Sequence, residues 1–239
     1  MEDIDADGDL DLFVANRDGN QILINDGTGI FEDQSSQRLP QGVDMDTRKA
    51  CFGDVNNDGK PDLFLANVQF INPNKDPQNR LYINESNGFF TDLTTSLLPQ
   101  TLNQTTNAVF HDIDEDGVID LLITNVLANP LEALLNDGSG KFTVRTNDVI
   151  SPMLTTVEAW GLVVADLTND DFQDVYVSSR TGVDAFLPGD PEGMILVATK
   201  DILESSDYVV FPNPVVNGIY LQHPVDSVSY THLTLPTKA

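Results

Sequence analysis

The sequence predicts an all-β fold built from a unit that repeats four times along the chain. An acidic stretch recurs at Asp3, Asp54, Asp112 and Asp166, and the same order of short β-rich runs follows each copy. One unit of about 50 residues holding four short antiparallel strands is typical of a blade of a β-propeller. We therefore expect about four blades within residues 1–200, arranged as an incomplete ring.

Each strand of the unit has its own signal. A short apolar run, "KACFG", "NAVFH" or "GLVVA", precedes each of the last three acidic stretches. A second apolar run follows each of the four acidic stretches and ends in "FVAN", "FLAN", "LITN" or "YVSS". This second run is apolar throughout rather than alternating, which favours a strand covered on both faces and a propeller over a β-sandwich. Next come "QILINDGTGIF", "NRLYINESNGFF" and "LEALLNDGSGKF", whose Asn- and Gly-containing centres predict hairpins. Residues 68–78 are predicted to be a loop insertion, and no segment predicts a helix.

Composition limits the partners. The 239 residues are 40% apolar, and 38 acidic against 12 basic residues give a net charge of −26. Such a charge repels nucleic acid and anionic lipid and favours cations. No apolar run approaches the length of a membrane span. The single cysteine, Cys51, is expected to be a buried, unreactive thiol.

The acidic stretches carry oxygen-bearing side chains at positions 1, 3, 5 and 9 and a glycine at position 6. The side chains are Asp3, Asp5, Asp7 and Asp11 in the first copy, Asp54, Asn56, Asp58 and Asp62 in the second, and Asp112, Asp114, Asp116 and Asp120 in the third. Position 7 would add a backbone carbonyl from Asp9, Lys60 or Val118. Clustered carboxylates repel one another unless a cation lies between them, so we expect a calcium ion in each of these loops. The fourth copy has Asp166, Thr168, Asp170 and Asp174 but Asp171 in place of glycine, and is expected to be a weak or empty site.

An EF-hand, a magnesium site and a metal-free turn are the other interpretations of these loops. An EF-hand needs a glutamate at position 12 and flanking helices, whereas position 12 here is Val14, Leu65, Ile123 or Val177. Magnesium demands a tighter octahedral site. A metal-free turn remains the alternative, because Asp, Asn and Gly also favour turns.

The segments "FGDVNNDGKPDLFLAN" and "NRLYINESNGFFTDLT" resemble the FG-GAP or VCBS repeats of integrin-α-like propellers, in particular the bacterial proteins related to cartilage acidic protein. The resemblance covers roughly residues 3–200. It implies calcium binding by the acidic loops, a ring of seven blades of which these would be the last four, and extracellular recognition or adhesion of proteins or glycans without a shared reaction. On this basis upstream blades and a signal peptide are expected to be missing.

The segment "YVVFPNPVVNGIYLQ", residues 208–222, resembles the start of the sorting domain of the type IX secretion system. The resemblance implies that this secretion machinery is a partner and that the protein is secreted or held on the outer surface of a Gram-negative bacterium. A proline-containing edge strand is the alternative. Residues 201–227 would then be a linker and a truncated sorting domain. Residues 228–239 resemble a translated sequencing adapter and are excluded from the fold prediction.

For function, we expect a secreted calcium-binding module that recognises an extracellular protein or glycan. A polysaccharide hydrolase or lyase and a structural accessory module are the alternatives. No catalytic triad or zinc-ligand spacing is present, and Glu132 and Glu158 would form an acid/base pair only by chance. Trp160 could stack on a sugar, although core packing is the stronger expectation; Arg80, Tyr82 and the insertion near Phe70 could line a binding face or be loop tips without a role.

Overall fold

The computed structural model describes residues 1–126, 131–149, 159–179, 184–187 and 189, and the backbone of residues 209–211 and 220–222. Within this part of the chain, consecutive strands pair antiparallel into sheets that follow one another in chain order without closing a ring. The prediction of an all-β propeller with repeated blades is confirmed.

Four of these sheets form the blades. The first blade contains β1 (Leu12–Val14), β2 (Gln21–Asn25) and β3 (Phe31–Asp33). The second contains β4 (Thr47–Gly53), β5 (Asp62–Asn67), β6 (Arg80–Ser86) and β7 (Phe89–Asp92). The third contains β8 (Gln104–His111), β9 (Asp120–Val126), β10 (Leu131–Asn136) and β11 (Phe142–Val144). The fourth contains β12 (Ala159–Ala165), β13 (Asp174–Ser179) and β14 (Ala185–Leu187).

A separate two-stranded sheet lies near the carboxyl terminus. β15 (Val209–Phe211) pairs antiparallel with β16 (Tyr220–Gln222). These strands fall within the segment that resembles a sorting domain. Its Pro-Asn-Pro core at 212–214 and the adapter-like residues 228–239 lie outside the described residues.

The second strand of each complete blade is buried on both faces, as its continuous apolar sequence predicts. Every residue of β5 and of β9 is buried. Leu63 and Leu65 of β5 pack in a cluster with the first blade, whereas Phe64 packs in a cluster with the third. Because alternate side chains of a strand point to opposite faces, one strand supplies the core of two interfaces.

Over the described residues, the hydrophobic core therefore consists of three clusters between neighbouring blades. The cluster between the first and second blades includes Ile4, Ile22 and Tyr82. The one between the second and third includes Val55, Phe64, Leu81, Leu121 and Phe142, and the one between the third and fourth includes Ile113, Leu122, Leu131 and Val175. Each blade is thus stabilised mainly by its neighbours.

Three single-turn helices follow the outer strands of the first three blades, where the sequence predicts none. They are α1 (Ser35–Arg38), α2 (Thr94–Leu97) and α3 (Thr146–Val149). The first residue of each helix accepts a hydrogen bond from a backbone N–H of the strand that precedes the outer strand. Ser35 Oγ accepts from Ile22 N of β2 at 3.0 Å, and Thr94 Oγ1 accepts from Leu81 N of β6 at 3.0 Å. Turns this short have no helical periodicity and depend on such tertiary contacts, so the prediction of no helix was wrong.

The insertion at 68–78 joins β5 to β6, at the end of the blade opposite the acidic loop that joins β4 to β5. It is tied to the segment before β4, because Val68 N donates to Asp46 O at 3.0 Å and Asp76 N donates to Asp44 O at 2.8 Å. The predicted insertion is therefore an ordered strap rather than a free loop. None of the described helices has the length and apolarity that a membrane span requires.

Candidate metal centres

The acidic loops have a common backbone conformation. The second, third and fourth loops, residues 54–62, 112–120 and 166–174, connect the first strand of their blade to the second, and the first loop, residues 3–11, precedes β1. Position 6 has a positive φ in every loop, at Gly8, Gly59, Gly117 and Asp171. Position 4 is also left-handed without being glycine, at Ala6, Asn57, Glu115 and Asn169. A β-carbon at the position of Asp171 is strained, which distinguishes the fourth loop from the other three.

The aspartate at position 1 closes each loop. Asp3 accepts hydrogen bonds from Asp7 N at 3.1 Å and from Gly8 N at 3.0 Å. Asp54, Asp112 and Asp166 repeat this pattern in the other loops. These bonds turn the chain back on itself, so that the side chains at positions 1, 3 and 5 project toward one region.

The aspartate at position 9 is buried in every loop: Asp11, Asp62, Asp120 and Asp174 are all at most 1% exposed. Both oxygens of Asp62 accept backbone hydrogen bonds, Oδ2 from Val55 N at 3.1 Å and Oδ1 from Asn84 N at 2.9 Å. Asp11 and Asp120 do the same with the equivalent residues of their blades. Position 9 thus joins the acidic loop to the third strand in addition to any role as a metal ligand, and the sequence pattern does not reveal this second role.

The structure brings two groups of three carboxylates together. Asp3, Asp5 and Asp11 offer oxygens that all lie within 4.8 Å of one another, and Asp112, Asp114 and Asp116 do the same. Asp5 Oδ1 is buried and has no hydrogen-bond partner among the described residues. A buried carboxylate oxygen without a partner is costly, and a cation at this point would satisfy it. The chemistry of this donor set, all oxygen and strongly negative, fits calcium.

The other two loops form no such group of three within the described part of the chain. In the second loop Asn56 Oδ1 accepts a hydrogen bond from Asp58 N at 3.0 Å, and Lys60 Nζ lies 2.8 Å from Asp58 Oδ2. In the fourth, Thr168 N donates to Asp174 Oδ2 at 2.8 Å. The position 7 residues Asp9, Lys60 and Val118 each donate their backbone N–H to the position 5 aspartate, Asp7, Asp58 or Asp116.

The pKa values reflect the crowding of carboxylates. Burial, followed by the charges of Asp11 and Asp7, raises the pKa of Asp5. Burial likewise raises the pKa of Asp62 and of Asp120 to about 6, against the effect of their backbone hydrogen bonds. Burial works in the same direction at Asp58, but hydrogen bonds from Lys60 outweigh it and lower the pKa. A cation in these loops would reverse the cost of ionising Asp5, Asp62 and Asp120.

An asparagine links successive loops. Asn84, in the second half of β6, donates its backbone N–H to Asp62 of its own blade and its side-chain amide to Ile4 O of the previous acidic loop, at 3.0 Å. Asn136 repeats both bonds one blade later, to Asp120 and to Val55 O at 2.8 Å. The sequence places an asparagine before each hairpin turn, and this recurrence is the signal that would have identified the link.

Arg38 contacts the first loop from its own blade. Its Nη2 lies 3.0 Å from Asp5 Oδ2, its Nη1 donates to Asn87 O of the second blade, and its guanidinium lies 5.1 Å above the centre of the Phe89 ring. The arginine is buried, and its ion pair with Asp5 offsets part of the negative charge of this loop. No local sequence pattern indicates this contact, because Arg38 lies 33 residues from Asp5.

The remaining candidate residues are dispersed. Glu132 is buried and accepts hydrogen bonds from Asn103 and Asn125, whereas Glu158 lies outside the described residues. Trp160 is 41% exposed on β12, so the expectation that it packs in the core was wrong. Arg80 and Tyr82 belong to β6 rather than to loop tips.

Comparison with known proteins identifies the repeat. The model of the FG-GAP-like repeat matches residues 3–65, 54–123 and 112–177. Each match begins at one acidic loop and ends within the strand that follows the next acidic loop. A comparison with curated protein sequences gives no significant match. Among solved structures, the chain resembles a lectin of Agrocybe aegerita that recognises non-reducing terminal N-acetylglucosamine, with 18% identity and a TM-score of 0.53 over 88% of this chain. The likeness covers 55% of the lectin and shows the shared fold. Because the repeat matches extend over most of the sequence, the chain belongs to the FG-GAP-like repeat family.

Proposed function

We propose that this chain is a calcium-binding propeller module that recognises an extracellular glycan or protein. The observation that supports calcium binding is the first acidic loop, where Asp3, Asp5 and Asp11 converge and Asp5 Oδ1 is buried without a hydrogen-bond partner in the part of the chain that the structure describes. The third loop offers a second group of three carboxylates. The first and third loops are the stronger sites because three carboxylates converge in each, the second loop forms no such group among the described residues and is weaker, and the fourth is weak or empty.

Calcium would supply positive charge to these loops, and the loops would supply its oxygen ligands. Asp3, Asp5 and Asp11 would hold it in the first loop, and Asp112, Asp114 and Asp116 in the third. The chain itself prepares the sites, since backbone hydrogen bonds to Asp3 and Asp112 hold each loop closed. An ion that binds the folded loop alone stabilises the fold by about 2.7 kcal/mol per site at a hundredfold excess over Kd.

The proposed recognition of a glycan or protein is supported by the fold and the charge of the chain. The chain shares its fold with a lectin, and its net charge of −26 disfavours nucleic acid as the ligand. The insertion at 68–78 presents Phe70 and Ile71, which are exposed, and Arg48 lies 5.6 Å above the Phe70 ring. Exposed aromatic rings of this kind bind sugars and protein surfaces.

We also propose that the protein is secreted or held on the outer surface of a Gram-negative bacterium by the type IX machinery. The support is the sequence "YVVFPNPVVNGIYLQ" at residues 208–222. Detection of the full-length protein in the medium or on intact cells, and its loss in a strain without that machinery, would test the assignment.

Thermal unfolding of the chain in calcium, in magnesium and in chelator tests the proposed calcium binding by the acidic loops. We expect the unfolding temperature to rise with calcium and much less with magnesium. An unchanged unfolding temperature in a cooperatively folded sample would mean that the acidic loops are turns alone. A broad glycan array and a panel of matrix proteins test recognition, and turnover of a polysaccharide without binding would favour the enzyme alternative.

A further inference from the structure

Two faces of the blade array have no neighbouring blade in the part of the chain that the structure describes. The first-blade face is the side of the first blade that points away from the second, and the fourth-blade face is the side of the fourth blade that points away from the third. Each of the three core clusters joins one face of the first kind to one of the second kind. Both free faces thus have buried equivalents in the same chain, which show what normally covers them.

The first-blade face carries the same apolar pattern as the face of the third blade that packs on the second. Its five members, Leu10, Leu12, Val14, Leu23 and Phe31, belong to none of the core clusters, and Leu10 is 54% and Phe31 39% exposed. The equivalent side chains of the third blade pack in the cluster with the second blade, and the last four of them are at most 4% exposed. They are Ile119, Leu121, Ile123, Leu134 and Phe142. One complete half of a blade interface is therefore open to water.

Asn25 shows which polar group this face lacks. Asn84 and Asn136 each donate their side-chain amide twice, once to a carbonyl of their own blade and once to the position 2 carbonyl of the previous acidic loop. Among the described residues, Asn25 makes only the first of these two bonds, to Leu10 O at 3.3 Å. The equivalent of its second partner would be the position 2 carbonyl of another acidic loop. In the single chain that place is left to water.

The fourth-blade face supplies the complementary half. It contains Leu167 at position 2 of the acidic loop, Tyr176 on β13 and Phe186 on β14, and all three are half-buried. The Tyr176 hydroxyl donates to Asp184, so the ring is presented without an unsatisfied polar group. The equivalent residues of the third blade pack in the cluster with the fourth blade and are at most 1% exposed. They are Ile113, Leu122 and Ala133.

We propose that copies of this chain associate head to tail, with the fourth-blade face of one copy packed on the first-blade face of the next. Leu167 O of one copy would accept the remaining amide N–H of Asn25 of the other, and the apolar side chains of both faces would leave water. The partner must offer an acidic-loop carbonyl and an apolar blade surface together, and the fourth blade of a second copy does so. The contact repeats the interface that the chain already forms three times. Because the two faces differ, the association is heterologous and either closes into a ring or extends.

Sedimentation equilibrium of the full chain over a wide concentration range tests the proposal. We expect the average mass to rise with concentration from one chain to two or more. The rise should be larger at higher salt, because screening weakens the repulsion between copies that each carry a net charge of −26. Phe31→Asp and Phe186→Asp should each weaken association at least about tenfold, since the contact would bury an unpaired carboxylate.

Val144→Asp is the matched control. Val144 is 39% exposed, as Phe31 is, but it belongs to the third blade, whose two faces are both covered within the chain. Its substitution should leave association unchanged. Thermal unfolding checks that every variant is folded. Should either interface variant fail to fold, Leu10→Asp and Leu167→Asp replace the pair, because these positions lie in the acidic loops and not in strands.

A mixture of the two variants tests the direction of the contact. Each variant keeps one intact face, so an equimolar mixture of Phe31→Asp and Phe186→Asp should form two-chain complexes although neither associates alone. Self-association of Phe186→Asp as strong as that of wild type would mean that first-blade faces pair with each other, and would overturn the head-to-tail arrangement. A wild-type mass that stays at one chain, or a Phe31→Asp variant that associates like wild type, would overturn the proposal and leave the first-blade face to a different partner. Neither result bears on calcium binding or on glycan recognition.

Discussion

Replacing Asn84 by alanine should destabilise the chain more than the same change at its equivalent in the first blade. The Asn84 side chain is 1% exposed, donates to Ile4 O at 3.0 Å and accepts from Gly88 N at 3.1 Å. Alanine leaves both backbone groups without these partners in a buried place, at about 1–3 kcal/mol each. The free energy of unfolding should therefore fall by about 2–6 kcal/mol, and Tm by at least about 4 °C for a chain of this length.

Asn25→Ala is the matched control for this substitution. Asn25 occupies the same place before its hairpin, but its side-chain bonds, to Leu10 O and from Gly27 N and Gly29 N, are exposed to water. Water can replace these partners, so we expect a loss below about 1 kcal/mol. Chemical and thermal unfolding of both variants in chelator provides the comparison. Equal losses in the two variants would refute the argument that the link between blades stabilises the fold.

Further predictions concern a metal ligand, the thiol and a buried acid. Asp114→Asn should reduce the calcium-dependent rise in Tm, whereas Asp170→Asn should change it little; equal effects, measured by thermal unfolding in calcium and chelator, would contradict the ranking of the loops. Cys51 is half-buried on β4 and burial raises its pKa to about 12, so it should react much more slowly with a thiol reagent in the folded chain than after unfolding; equal labelling rates of the folded and the unfolded chain would contradict this. Burial also raises the pKa of Glu132, although hydrogen bonds from Asn125 and Asn103 oppose it. The stability that its proton provides is complete below about pH 4.5 and is lost as the pH rises through the folded pKa, so Glu132→Gln should flatten the stability profile in that window.

The strand order and the acidic loops were predictable because their signals are local. Alternate aspartates with a glycine at position 6 define the loop, and continuous apolar runs define β5 and β9. These patterns repeat at nearly constant spacing, so each copy supports the interpretation of the others. Hence both the architecture and the loops that hold the candidate metal centres follow from the sequence alone.

Other features depend on contacts between residues far apart in the chain. The single turn α1 depends on Ser35 reaching the backbone of Ile22, and the first acidic loop depends on Arg38, which meets Asp5 only in the folded chain. The exposure of Trp160 depends on which face of β12 a neighbouring blade covers. Sequence periodicity cannot report these relations, because it records spacing and not which surfaces meet.

The two-sided burial of β5 and β9 makes the blade array behave as a one-dimensional chain of coupled segments. Free energy in such an array is a sum over interfaces between neighbours, and a perturbation spreads only as far as the next weak interface. A substitution at Phe64 should loosen one boundary, whereas a break in the backbone pairing of β5 should uncouple the segments on both sides. The array would then divide into two independently melting parts, and its thermal transition would split in two.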